Sequence, residues 1–265
     1  MHDDPPSARL ASCAPPLRRA NTESSSWAFP FMGRFLHASL ALVSRRHWAG
    51  QHHLPRTGPA LVVANHLSSL DPGFVGEFIG YSGRWPYFLA KESMFSWPLI
   101  GPVIRQAGII PVHRGSDRAC DALVEARLRL EQGNVVVIYP EGTTARDPDL
   151  WPAAPHTGAA RLALSTSVPV IPLGHWGVST ICPDNAGPQR LPHLVPRHDV
   201  WLALGPPLDL AAFGRDPADA QAVRAAAEAM TAAITALVAR LRGEVPPPGR
   251  WDPKLGARVA PGSMN

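Results

Sequence analysis

Between residues 60 and 204, short runs of branched or small apolar residues recur with longer stretches of helical spacing between them. The runs are Ala60–Ala64, Tyr87–Ala90, Ile109–Val112, Val135–Tyr139, Val168–Leu173 and Val200–Leu204. Each is short enough for a strand, and several are apolar throughout, as strands covered on both faces are. The intervening patterns predict helices over about 72–80, 93–105, 116–132 and 157–166. The third of these has clear ends: Ser116 can cap it, Leu123, Ala126 and Leu130 form its stripe, and Gly133 can close it. A last helix, over 216–242, takes Asp216 as its cap and Pro217 at its first position. Its seam, Val223, Ala227, Met230, Ile234, Leu237 and Leu241, steps alternately by four and three and predicts packing against a core. This alternation limits the chain to the α/β class: a mixed, largely parallel sheet flanked by helices.

With 265 residues, 45% of them hydrophobic, the chain can bury one sizeable core. The α/β domain is expected over 49–243. Residues 1–26 are polar and rich in Pro and Ser, and predict a disordered arm; the Pro-rich tail, 244–265, predicts a loosely draped one. Between arm and domain, Trp27 to Trp48 predicts an amphipathic helix. Phe31, Met32, Phe35, Leu36, Leu40 and Val43 recur at helical spacing, with Arg34 and His37 on the other side. A bilayer span takes about 20 apolar residues, more than this segment offers. Two readings stand. The helix packs on the core, or it lies in a membrane interface with Trp27 and Trp48 at its ends and Arg45 and Arg46 near lipid phosphates.

Cys13, Cys120 and Cys182 lie far apart and form no CxxC pair, which argues against a disulfide framework or a zinc site. A reducing, cytosol-facing setting is expected. The first apolar stretch starts late and lacks a small-residue cleavage site, so no signal peptide is read. The net charge of +4 is not the clustered basic face of a nucleic-acid binder. Of 25 Lys and Arg residues only Lys91 and Lys254 are lysines, leaving 23 arginines. Arginine suits phosphate, since its planar fork binds two oxygens at once.

Ligands of open α/β sheets bind beyond the carboxyl ends of the strands, and the polar residues here gather there. Asn65-His66 follow the first run, His113-Arg114 the third, and Pro140-Glu141-Gly142-Thr143 the fourth. In a parallel sheet these ends share an edge, so His66, Arg114 and Glu141 can line one cleft. An imidazole is mostly neutral at pH 7 and suits general-base work. A carboxylate on its far nitrogen would fix the tautomer. Asp71 can serve only if the chain bends, because five residues along a regular helix place side chains about 140° apart. The turn-forming SSLDP sequence allows such a bend. Ser68 and Ser69 lack a G-x-S-x-G elbow and are expected to bond local backbone. Arg114 reads as an anion clamp, and Gly142 lets a ligand approach the backbone. No Walker loop, G-x-G-x-x-G or HExxH is present. The pairs His52-His53 and His175-Trp176 read as solvated or packed rather than ligating, and RDPDLWP as a loop.

Four blocks in order then resemble the glycerolipid acyltransferases typified by 1-acyl-glycerol-3-phosphate (lysophosphatidic acid) acyltransferase: NHLSSLDP with Asn65, His66 and Asp71; GIIPVHR ending at Arg114; YPEGT over 139–143; and VPVIPL over 168–173. The match covers roughly residues 55–205. The resemblance implies transfer of a fatty acyl group from acyl-CoA or acyl carrier protein to a lipid hydroxyl. His66 would deprotonate the hydroxyl, Asp71 would orient His66, and Arg114 would hold the acceptor phosphate. Glu141 and Gly142 would position the acceptor, with Asn65, Thr143, Arg146 and His156 also on the substrate side. It implies no metal and no tightly bound cofactor, no nucleic acid, and peripheral or monotopic attachment to the cytoplasmic face of a membrane. Two departures leave the acceptor head group open: Thr144 stands where relatives commonly carry arginine after P-E-G-T, and His156 where many carry lysine. A thioesterase and an inactive lipid-binding relative are the competing readings.

Overall fold

The computed structural model describes residues 21, 23, 25–98, 100–112, 121–183, 193–252 and 255–260. Arg114, Ser116, Cys13 and Cys120 lie outside the described residues, as does most of the 1–26 arm.

Helix α1 (Ala28–Val43) leads into β1 (Ser44–Ala49), β2 (Ala60–Ala64), α2 (Asp71–Tyr81), β3 (Pro86–Lys91), α3 (Ile100–Gln106), β4 (Ile110–Val112) and α4 (Asp121–Glu131). Then come β5 (Val135–Ile138), α5 (Gly158–Thr166), β6 (Val170–Trp176), the short α6 (Val178–Ile181), β7 (His198–Leu204), α7 (Ala220–Arg242), β8 (Arg250–Asp252) and β9 (Ala257–Val259).

Seven strands form one sheet in the order β1-β7-β6-β2-β5-β3-β4. Strands β6, β2, β5, β3 and β4 run parallel. β7 is antiparallel to β6, and β1 pairs parallel to β7 at the edge. The alternation of side chains along each strand divides the core in two. Ala60, Val62 and Ala64 of β2 face Phe74 and Phe78 of α2 and Leu40 of α1. Leu61 and Val63 face the opposite layer, where Ala126 and Leu130 of α4, Ala160 of α5, and Met230 and Ile234 of α7 pack. This is why β2, covered on both faces, is apolar throughout. It puts all its polarity at the residue after its end, Asn65.

Helix α7 is long and apolar enough to cross a membrane by length and composition. Its seam, however, packs across the sheet so closely that a Cβ on Gly174 of β6 would come within 2.6 Å of Leu237. Its cap is Asp219, whose side chain accepts from the Gln221 and Ala222 N–H groups, so the helix starts after the expected Asp216 and Pro217.

The helix expected over Trp27 to Trp48 ends at Val43, where the helical spacing of apolar residues also ends. Ser44–Ala49 extend instead as β1. Trp48 is buried against Phe78 and Tyr81. Arg45 pairs with Asp199, and Arg46 with the buried Glu77. Trp48 and Arg46 therefore belong to the fold and are not interfacial anchors, whereas the Arg45 side chain stays 58% exposed in its pair. The 93–105 segment divides into a short 3₁₀ turn, Glu92–Ser96, and α3. Among the described residues of the tail, β8 and β9 pair as an antiparallel hairpin, so this part is not loosely draped.

Candidate active site

His66 follows β2 at the carboxyl edge of the parallel strands. The chain turns through Leu67–Leu70, and Asp71 opens α2 with Pro72 in its first turn. The turn is drawn around one carboxylate oxygen. Asp71 Oδ2 accepts the Leu67 N–H, the Ser68 N–H at 2.8 Å, and the His66 ring at Nδ1 at 2.9 Å. The Ser68 hydroxyl bonds local backbone, donating to the Cys182 carbonyl and accepting the Leu70 N–H. Asp71 is wholly buried, whereas the His66 side chain keeps 16% of its exposure. Since Asp71 occupies Nδ1, the ring presents Nε2 with its lone pair outward.

Three further contacts hold His66, one on its ring and two on its backbone. The Tyr139 ring stacks on it with centroids 4.3 Å apart and planes 19° from parallel. The His66 N–H donates to Glu141 Oε1 at 3.0 Å, and its carbonyl accepts the Ala145 N–H at 2.7 Å. Glu141 Oε2 accepts the Ala153 N–H at 3.0 Å. Both oxygens of Glu141 are thus spent on backbone, so it braces His66 and the following loop rather than offering a free carboxylate to an acceptor. Burial pushes its carboxyl up to about 8, against the pull of those two N–H bonds.

Asn65 and His175 clasp the ends of β2 and β6. The Asn65 amide donates to the His175 carbonyl at 3.0 Å and accepts its N–H at 2.9 Å, and His175 Nε2 donates to the Asn65 carbonyl at 2.7 Å. Asn65 is therefore structural here, buried beneath the site. His175 Nε2 also lies 3.5 Å from Asp71 Oδ2, and burial lowers its basicity, keeping it neutral.

Gly142 takes φ +66°, and a Cβ there would meet the His156 ring at 2.7 Å. His156 thus lies over the glycine, exposed, and Arg146 is exposed beyond it. The side chains of Thr143, Arg146 and His156 have no hydrogen-bond or ion-pair partner among the described residues. Sequence reasoning passed over Lys91, which ends β3 at the same carboxyl edge, exposed, beside Val112 of β4. Its place beyond a strand end was the available signal. Tyr139 stood at the head of the YPEGT block without a role assigned to it, and the support from His175 carried no motif. Among the described residues no cluster of His, Cys, Asp and Glu is arranged to hold a metal ion. A cavity of about 310 Å³ opens at the amino end of β6, beside Ser167 and Pro169, away from His66.

A buried aspartate on Nδ1 of a stacked, largely sheltered histidine at a parallel sheet edge is an arrangement suited to a general base and its orienter. Residues 45–176, which span it, match the family model described as Acyltransferase, and the chain belongs to that family. Among curated relatives, it is 32% identical over 136 residues to the chloroplastic 1-acyl-sn-glycerol-3-phosphate acyltransferase BAT2 of Brassica napus, covering 51% of this chain and 38% of that one. It is 35% identical over 94 residues to the lyso-ornithine lipid O-acyltransferase of Pseudomonas aeruginosa, covering 35% and 34%. These matches span little more than a third of the relatives' lengths. The crystal structure of the 1-acyl-sn-glycerophosphate (LPA) acyltransferase PlsC from Thermotoga maritima shares the fold, with a TM-score of 0.63 at 24% identity, over 83% of this chain and 81% of that one.

Proposed function

We propose that the chain is an O-acyltransferase that moves a fatty acyl group from a thioester, acyl-CoA or acyl carrier protein, to the free hydroxyl of 1-acyl-glycerol-3-phosphate, giving phosphatidic acid. The observation that carries this reading is the His66–Asp71 contact with Nε2 left outward. His66 Nε2 takes the proton of the acceptor hydroxyl as its oxygen attacks the thioester carbonyl carbon. Asp71 stabilises the imidazolium so formed. The tetrahedral intermediate collapses, the carbon–sulfur bond breaks, and the leaving thiolate takes the proton back from His66. The reaction needs no metal and no resident cofactor. Arg114, Arg146 and Lys91 are the cations assigned to the acceptor phosphate, with Thr143 and His156 beside them.

The lipid acceptor places the enzyme on a membrane surface, and α1 supplies a face for it. Trp27, Phe31, Phe35 and Leu42 are 68%, 60%, 64% and 75% exposed, while Phe29 and Leu40 of the same segment are buried. An apolar stripe left outside a packed helix suits the boundary between headgroups and acyl chains.

A second head group is favoured by Thr144 and His156, which replace two expected cations, and by the likeness to a lyso-ornithine lipid acyltransferase. Purified protein offered a panel of lysolipids, with acyl-CoA and acyl carrier protein thioesters in parallel, decides the matter. Preferred acylation of 1-acyl-glycerol-3-phosphate is expected. Preference for a phosphate-free lysolipid overturns the assigned acceptor, and thioester hydrolysis at an undiminished rate without any acceptor overturns the transferase.

A further inference from the structure

The loop between β5 and α5 carries Glu141, Gly142, Thr143 and Arg146, and it lacks regular structure from Glu141 to Pro155. Its outer half is held from the far end of the chain. Arg258 of β9 forks onto both oxygens of Asp147, at 2.6 and 2.8 Å, and reaches Asp149 at 2.9 Å. Arg250 of β8 donates to the Ala153 carbonyl at 3.3 Å and to Glu228 of α7 at 2.7 Å. Ala153 is the residue whose N–H holds Glu141. Arg242, the last residue of α7, donates to the Asp149 carbonyl at 2.6 Å and covers the Trp151 ring at 4.1 Å.

Asp147 is wholly buried, although it lies in a loop. A buried carboxylate is costly without a partner, and a bidentate guanidinium is the strongest partner available to it. On the inner side of the loop, Ala145 is tied to the His66 carbonyl. Arg146 therefore stands between two fixed, buried neighbours, itself exposed and without a partner among the described residues.

We propose that the C-terminal hairpin is a positioning element of the acceptor site: Arg258 on Asp147 and Arg250 on Ala153 hold the 141–153 loop so that Arg146 is presented to the acceptor phosphate. This rests on the phosphate-bearing acceptor proposed above. Arg258 touches no substrate in this account; it acts through Asp147. Losing one positioned charge-assisted contact corresponds to roughly a tenfold weakening.

The test uses full-length Arg258→Ala and Arg258→Lys, with Arg127→Ala on the solvent side of α4 as control. Two quantities are measured: amide exchange of the 141–153 peptides, and the KM for 1-acyl-glycerol-3-phosphate and for acyl-CoA separately. In Arg258→Ala the loop peptides should exchange faster and the acceptor KM should rise roughly tenfold with the donor KM near wild type, while the melting temperature falls because the buried Asp147 loses its partner. Arg258→Lys, which keeps the charge and loses the fork, should fall between. Unchanged exchange overturns the hold on the loop. Faster exchange with an unchanged acceptor KM overturns its use in acceptor binding. Both KM values rising together reduce the hairpin to general support. If the wild type instead acylates a phosphate-free lysolipid, the substrate reading and the Arg146 role fail, while exchange still decides whether the hairpin holds the loop.

Discussion

One oxygen of Asp71 gathers the turn after β2, accepting two backbone N–H groups and the His66 ring. Asp71→Asn can keep its carbonyl oxygen in the Oδ2 place, with its NH₂ at the Oδ1 place that has no hydrogen-bond partner among the described residues, so the turn is kept while the negative charge is lost. The imidazolium is then no longer stabilised, and turnover should fall by about 10²–10⁴ while the circular dichroism spectrum stays folded. Glu141 makes a prediction of different kind. Burial raises its carboxyl from 4.5 to about 8, so the folded chain retains a proton that the unfolded chain releases. Its contribution to stability is fully present below about 4.5 and is lost as the pH rises through about 8. Glu141→Gln should flatten that stretch of a plot of melting temperature against pH; an equally steep decline in the variant would show that another group causes it. The motif made the His66–Asp71 pair legible, because spacing and turn chemistry together fix their meeting. The bracing role of Glu141 was not legible. A carboxylate after a strand reads alike in sequence whether it faces a ligand or a neighbouring N–H, and the partners, His66 and Ala153, are distant in sequence or inside an irregular loop. His175 was read as packed, as it is, but nothing in the sequence placed it beside Asp71.

At the scale of elements, the strands buried on both faces were the readable ones, since β2 and β5 are apolar throughout. Strand β1, Ser-Arg-Arg-His-Trp-Ala, was not. It is an edge strand whose polar residues meet partners from elsewhere in the fold: Arg45 and His47 meet Asp199, and Arg46 meets Glu77. Charged residues are the usual means of protecting a sheet edge, and they erase the apolar signal. The consequence for α1 is practical. Removing residues 1–48 would take β1 and Trp48 out of the sheet and core, so membrane attachment is better tested on the exposed stripe alone. Phe31→Ser with Phe35→Ser should leave the melting temperature near wild type and move the protein from sedimenting lipid vesicles to the supernatant. Co-sedimentation equal to wild type would remove α1 as the docking face.

Across the whole molecule, the end of the sheet that carries His66 is contacted by segments that follow the matched family region. The parallel strands bring Asn65, His66, Tyr139, Glu141 and His175 to one edge, and α7 closes the face beneath. The β8–β9 hairpin then returns to the loop that follows β5. This return was hidden in the sequence, because a proline-rich tail has too few apolar residues to announce itself. Its hold comes from arginine pairs on Asp147, Asp149, Ala153 and Glu228 instead. The reading as a transferase stands on the outward nitrogen of His66, and single-turnover acyl transfer tests that most directly. His66→Ala, mixed with a long-chain acyl thioester and the preferred lysolipid, should form product about 10²–10⁴ times more slowly than wild type with its folded spectrum unchanged. Product formation at the wild-type rate would contradict the account.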